Sequence, residues 1–161
     1  MPESVEQRIA TTRRIAAPAD RIFAVISDPD GHVAIDGSGM LMVSPDSQRL
    51  RAVGDTFIMN MDREPLGDLP LGKYTVKNTV LRFVPDVELA WQPGSVDRSP
   101  LGHTYGYLLA PVSATATEVT SYCDWSGVHP KLLERLTWPV VPLSALETSL
   151  DNLQRLVEAP E

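Results

Sequence analysis

One cysteine, Cys123, in 161 residues leaves no partner for an intrachain disulfide and suits a reducing compartment. With no Cys or His ligand spacing around it, it reads as a small buried hydrophobe. No stretch approaches the ~20 consecutive apolar residues of a membrane span. The N-terminal MPESVEQRIATTRR carries charges where a signal peptide needs its apolar segment, so a cytoplasmic protein is expected. Basic charge is scarce: 14 Lys and Arg stand against 21 Asp and Glu, and no cluster is longer than Arg13-Arg14. A net charge of -7 disfavours a nucleic-acid partner. Three scattered histidines and the single cysteine form no recognisable metal site. GxGxxG, Walker A and GxSxG patterns are missing, so nucleotide binding and serine hydrolysis find no support and no cofactor is expected. Internal repeats, low-complexity tracts and long linkers are absent as well. The expectation is a single domain over residues 1–161, long enough to bury roughly 70% of its unfolded surface.

What is present organises itself around the last helix, residues 143–157. Leu143, Leu146, Leu150, Leu153 and Val157 recur at spacings that place them on one helical stripe. That stripe is too apolar to face water. Ser144 and Glu147 resemble a capping box, and Pro139 and Pro142 end whatever precedes.

Upstream, residues 5–15 hold enough β-branched side chains for a first strand. Ala17-Pro18-Ala19-Asp20 opens a helix with Ile22, Phe23 and Ile26 as its apolar face, expected to stop at Asp28-Pro29-Asp30-Gly31. One helical turn in the following HVAIDGSG would bring His32 and Asp36 together at i, i+4. From residue 40 the pattern turns to strands. These are 40–43, a strand including Leu50 and Val53, 56–61, 74–84, 88–92, 103–110 and 117–125. Phe57, Met59 and Met61 share one face, as do Tyr74, Val76, Asn78 and Val80, while Lys77 belongs in water. An inward Asn78 needs a partner in protein, water or ligand. Leu89 and Trp91 share a face, alternating with Glu88 and Ala90, and Tyr105, Tyr107 and Leu109 share one in the next strand. The last strand is ambiguous, with Val119, Cys123 and Trp125 competing against Thr120, Tyr122 and Asp124 for the inner face. Pro130 opens a short helix containing Leu132, Leu133 and Leu136. Hairpin-length connections with helices at the sequence ends give an α+β class with an antiparallel sheet rather than βαβ units.

A-P-A-D-R-I-F at residues 17–23, D-P-D-G-H at 28–32, G-D-x-F at 54–57, L-A-W at 89–91, T-E-V-T at 117–120 and the leucine-striped last helix together resemble the START-like superfamily. Within it, the chain is most similar to the polyketide cyclase/dehydrase and lipid-transport group known as SRPBCC. The resemblance covers nearly the whole chain and includes no shared catalytic signature. It implies a helix-grip fold, a curved antiparallel sheet of about six to seven strands wrapped around the long C-terminal helix. It also implies a deep cavity for a lipid, polyketide or other small apolar molecule.

Under that resemblance the expected ligand-binding residues are Phe57, Met59, Met61, Tyr74, Asn78, Trp91, Tyr105, Tyr107, Tyr122, Leu146 and Leu150. Methionines adapt to apolar ligands of different shape, and tyrosines and an amide supply the few oriented polar contacts a pocket needs. Read from the residues alone, the same side chains are ordinary core. His32 and Asp36 are the candidate catalytic pair, a carboxylate able to orient an imidazole for proton transfer in a cyclisation or dehydration. His103 and His129, at element starts, read as surface or capping residues. Asp124 is either a buried acid or a turn cap, and Arg82 either a head-group contact or a solvated strand-end arginine. Three functions follow: a carrier or sensor of a small hydrophobic ligand, a cyclase or dehydratase of a polyketide-like substrate, and a packed protein-interaction domain. The sequence favours no oligomeric state.

Overall fold

Alternation builds the sheet. In β1 (Arg8–Ile15), Ile9, Thr11, Arg13 and Ile15 turn inward while Arg8, Ala10, Thr12 and Arg14 stay exposed. The computed structural model describes residues 7–45, 47–64, 72–96, 100–135 and 138–158. After β1 come α1 (Ala19–Ile26) and α2 (Pro29–Ile35), then β2 (Leu41–Val43), β3 (Thr56–Asp62), β4 (Lys73–Val84), β5 (Glu88–Gly94), β6 (Thr104–Ser113) and β7 (Ala116–Asp124). The short α3 (Pro130–Arg135) and the long α4 (Leu143–Glu158) close the chain. The strands form one antiparallel sheet in the order β1-β7-β6-β5-β4-β3-β2, so the first strand pairs with the last. The chain therefore adopts the α+β helix-grip arrangement, with seven strands and two short helices after the first among the described residues.

Cross-strand register assigns the inner face. Cys123 pairs with Tyr105, Tyr105 with Trp91, and Trp91 with Val80, making one row of side chains across four strands. Pro93, Asn78 and Phe57 make another, and Tyr74, Met61 and Leu41 a third at the far edge. A register shift between Val80 and Arg82 inserts Leu81 as an extra residue. It sends Phe83, not Arg82, inward after Val80.

Against this face lie α1 and α4. Leu150, Leu153 and Val157 join Ile15, Ile22, Ile26, Leu109 and Val119 in the main core cluster. Leu146 belongs to a second cluster with Cys123, Trp125 and Val128. Leu143, expected on the stripe, is 39% exposed, because it is the first residue of the helix and lies ahead of the buried turns. For the same reason Ser144 sits within the first turn rather than at a cap, and its carbonyl accepts the Thr148 hydroxyl at 2.9 Å.

Other expectations are corrected locally. The segment containing Leu50 and Val53 is no strand: the Asp55 carboxylate accepts the N–H groups of Arg51 and Ala52, which curls the backbone. Leu50 is buried with its N–H on the Ser27 carbonyl at 2.8 Å, and Val53 is exposed. Pro29 does not end α1 in a loop but opens α2, whose start is capped by the Asp28 carboxylate on the Asp30 N–H at 3.0 Å. The expected strand start at Val5, the turn residue Asp46, most of the 62–72 loop and Leu136 lie outside the described residues. No described helix is long and apolar enough to cross a membrane.

Candidate functional site

A cavity of about 360 Å³ lies between the inner face of the sheet, α2 and the first half of α4. Its wall draws on members of both core clusters, so it occupies the place where the two do not meet. Native interiors keep few voids larger than a water molecule, and a volume near 300 Å³ or above is the scale of a small-molecule site.

Most of the residues expected from sequence converge here. Phe57, Met59 and Met61 from β3, Tyr74 and Asn78 from β4, and Trp91 from β5 line the cavity, as do Tyr105 and Tyr107 from β6 and Leu146 from α4. Trp91 is the hub of the aromatic wall, stacked on Tyr105 at 6.0 Å between ring centres and close to Tyr107 at 5.9 Å. Leu150 does not reach the cavity; one turn beyond Leu146, it is sealed into the main core cluster. Tyr122 touches the cavity, but strand alternation carries its ring to the outer face, opposite Ser121 and Cys123. There it lies over Gly106, where an added Cβ would fall 2.4 Å from the ring, and Arg82 donates to its hydroxyl at 3.3 Å. Arg8 stacks on the same ring at 4.3 Å.

His32 and Asp36 both line the cavity, yet they are not joined as a dyad. The His32 Nε2 lies 2.6 Å from the Ile26 carbonyl, to which it donates, and the ring packs on Trp91 at 4.6 Å and Phe57 at 5.3 Å. Burial pushes the His32 pKa down, with the Ile26 bond and the charges of Asp28 and Asp36 opposing. Asp36 ends α2, and its carboxylate accepts from the N–H and hydroxyl of Ser38 and from the Leu41 N–H. The i, i+4 spacing gives proximity, but each group is taken by a backbone partner.

The tyrosines also have partners. Burial drives both hydroxyls far above their ordinary range, with Ser121 beside Tyr107 and Cys123 beside Tyr105. The Cys123 thiol is itself pushed up to about 12 by burial, which makes it an inert core residue. Asp124 accepts from the N–H and hydroxyl of Ser126, a turn cap, and the His129 Nδ1 accepts the Lys131 N–H at the start of α3. Arg82, on the outer face, pairs with Glu88 at 3.1 Å as well as with Tyr122.

Among the wall residues that were not anticipated, three bring nitrogen groups to the cavity. Arg63, 5% exposed, brings a guanidinium to the cavity near the Met40 sulfur at 3.7 Å. His103 is buried rather than at the surface: it is 4% exposed, sits edge-on to Tyr105 at 5.6 Å and Trp138 at 5.2 Å, and is held near pKa 4 by desolvation. Trp138 comes from the segment between α3 and α4. Two of the three were within reach of sequence. Arg63 continues the alternation Phe57, Met59, Met61, and His103 precedes Tyr105 and Tyr107 at the same period. Among the described residues, no three His, Cys, Asp or Glu side chains are grouped as metal ligands would be.

A helix-grip domain with a partly open pocket between sheet and last helix is the class that fold and site define. Structures that share the fold include protein CV1439 of Chromobacterium violaceum, with 20% identity, a TM-score of 0.66, and 96% of this chain and 99% of that one covered. Norcoclaurine synthase of Thalictrum flavum, solved in complex with dopamine and hydroxybenzaldehyde, matches at 20% identity and TM-score 0.63 over 98% of this chain and 90% of that one. In sequence, the uncharacterised protein Rv0088 of Mycobacterium tuberculosis (strain H37Rv) is 30% identical over 118 residues, covering 73% of this chain and 47% of that protein. The chain thus spans about half the length of the curated relatives it matches. No family model matches it.

Proposed function

We propose that this single domain binds a small, mainly apolar molecule in its cavity and acts as a carrier or sensor. The observation that carries the reading is the cavity itself: about 360 Å³ walled by methionine, aromatic and aliphatic side chains, with a few polar groups among them. A void of that size without an occupant forfeits packing, and covering its wall with a ligand contributes roughly 25 cal/mol for each Å² of apolar area removed from water. The volume speaks against a fully packed interaction domain. That a protein of the same fold holds dopamine and hydroxybenzaldehyde supports the fold's capacity for small aromatic compounds.

Native mass spectrometry with organic extraction tests the reading. A stoichiometric lipid or aromatic adduct is expected, or, for a clean apo mass, a member of a lipid and polyketide panel that raises Tm. At a ligand concentration 100-fold above Kd the expected stabilisation is about 2.7 kcal/mol, or roughly 5–10 °C. Ala145→Trp, which projects an indole from α4 into the cavity, should abolish the shift. A panel without effect on Tm would return the protein to the interaction-domain reading.

The second reading is a cyclase or dehydratase of a polyketide-like substrate. It is favoured by one feature: with Nε2 donating to Ile26, the neutral His32 keeps an acceptor lone pair on Nδ1 in a cavity-lining ring. Turnover that vanishes in His32→Phe while ligand uptake persists would support it; turnover retained in both His32→Phe and Asp36→Asn would remove it.

A further inference from the structure

The polar groups of the cavity wall divide into those that are occupied and those that are not. His32 and Asp36 are held by hydrogen bonds to protein groups, and the Tyr105 and Tyr107 hydroxyls lie beside Cys123 and Ser121. The Nδ1 of His103 and the Nε1 of Trp138 are both buried with no hydrogen-bond partner among the described residues. Leaving a buried polar atom unpaired is costly, so two such atoms in adjoining rings require an explanation. Their rings meet edge to face with centres 5.2 Å apart, and both residues belong to the cavity wall.

We propose that His103 and Trp138 together recognise a hydroxyl, so that the cavity's ligand is a ring compound bearing an alcohol or phenol at this end. This rests on the cavity being a ligand site. The Trp138 N–H is donor only, so its partner must accept; the neutral imidazole nitrogen is satisfied by a group that donates or accepts according to tautomer. A hydroxyl oxygen does both at once. A methyl or ring edge leaves both protein atoms unpaired, and a site built for a hydroxyl rejects the analogue lacking one for that reason. The neighbouring wall is suited to the rest of the molecule: Tyr105 stacks on Trp91, leaving aromatic surface beside the polar pair.

The test compares 2-naphthol with naphthalene by ligand-observed NMR titration of the intact protein. Wild type should bind 2-naphthol roughly tenfold more tightly. In His103→Phe and in Trp138→Phe the ratio of the two dissociation constants should fall toward one. His103→Phe replaces an unpaired polar ring by an apolar one of like shape, so its ligand-free Tm should hold or rise; a fall of several degrees would mean the imidazole is structural. If wild type binds both compounds with equal affinity, or if both variants keep the preference, hydroxyl recognition is overturned while the cavity reading stands. If wild type binds neither compound saturably, this inference is overturned, and the lipid and polyketide panel decides the cavity reading separately.

Discussion

Gly37→Ala is expected to lower the unfolding free energy by about 3 kcal/mol, a large loss for one methyl group. The Cβ would lie 2.3 Å from the Ala145 carbonyl oxygen and 2.6 Å from the Ser149 nitrogen, both backbone atoms of α4 that no rotamer change can move. The surrounding junction is stitched as well: the Gly37 N–H donates to the Ser149 hydroxyl at 2.9 Å, and the Asn152 amide donates to the Ile35 carbonyl at 3.1 Å. Admitting the methyl means pushing α4 away from the end of α2, which breaks those bonds together. Asp36 and Ser38 on one side and Ala145 and Ser149 on the other line the cavity, so ligand affinity should fall with stability. Urea denaturation of Gly37→Ala beside Ser149→Ala, which removes one hydrogen bond worth about 1 kcal/mol, separates the two effects. Equal midpoint shifts in the two variants would show that the helix is free to move aside.

Acid should weaken the fold well above the pH at which carboxylates titrate. His103, held near pKa 4 by burial, refuses a proton that the unfolded chain accepts near 6.5. Between those values the unfolded state binds more protons, so stability falls as pH is lowered through 6.5 toward 4 and is fully present above that window. The shift corresponds to about 3 kcal/mol by pH 4. His32, shifted in the same direction, adds to the loss. Urea titrations of wild type and His103→Phe at pH 7 and pH 5 provide the check, with the variant expected to lose markedly less. Identical pH dependence in the two proteins would place His103 outside the acid transition.

How much of this was legible in the sequence follows from how far a period can be trusted. Alternation located the inner face wherever a strand runs regularly, which is why Phe57, Met59, Trp91 and Tyr107 meet as expected. Arg63 keeps the inward period two residues past Met61, but its polarity placed it in the following loop, and His103, placed at the start of its strand, was read as a surface or capping residue although it shares the inward period of Tyr105 and Tyr107. In β7 apolar and polar residues occupy both faces, so composition gave no decision there. What settles Tyr122 is Gly106 on the neighbouring strand, a cross-strand relation invisible to a local pattern. Trp138 lies between helices, where no period applies. The His32 and Asp36 spacing was real, but spacing does not reveal that a carbonyl and a turn already hold the two groups.

The pairing of β1 with β7 also governs how the molecule is made. The Thr12 and Thr120 hydroxyls meet at 2.9 Å although 108 positions separate them, and the register runs from Arg8 opposite Asp124 to Ile15 opposite Thr117. Closing so long a loop costs entropy before any contact repays it, and topologies dominated by such pairings fold in milliseconds to seconds rather than microseconds. During synthesis the hairpins from β3 to β6 can assemble as they emerge, while β1 waits with its inner side uncovered until β7 arrives. A chain arrested before β7 would present that waiting strand to chaperones or to other copies of itself, so the step that completes the sheet is also the one most exposed to aggregation.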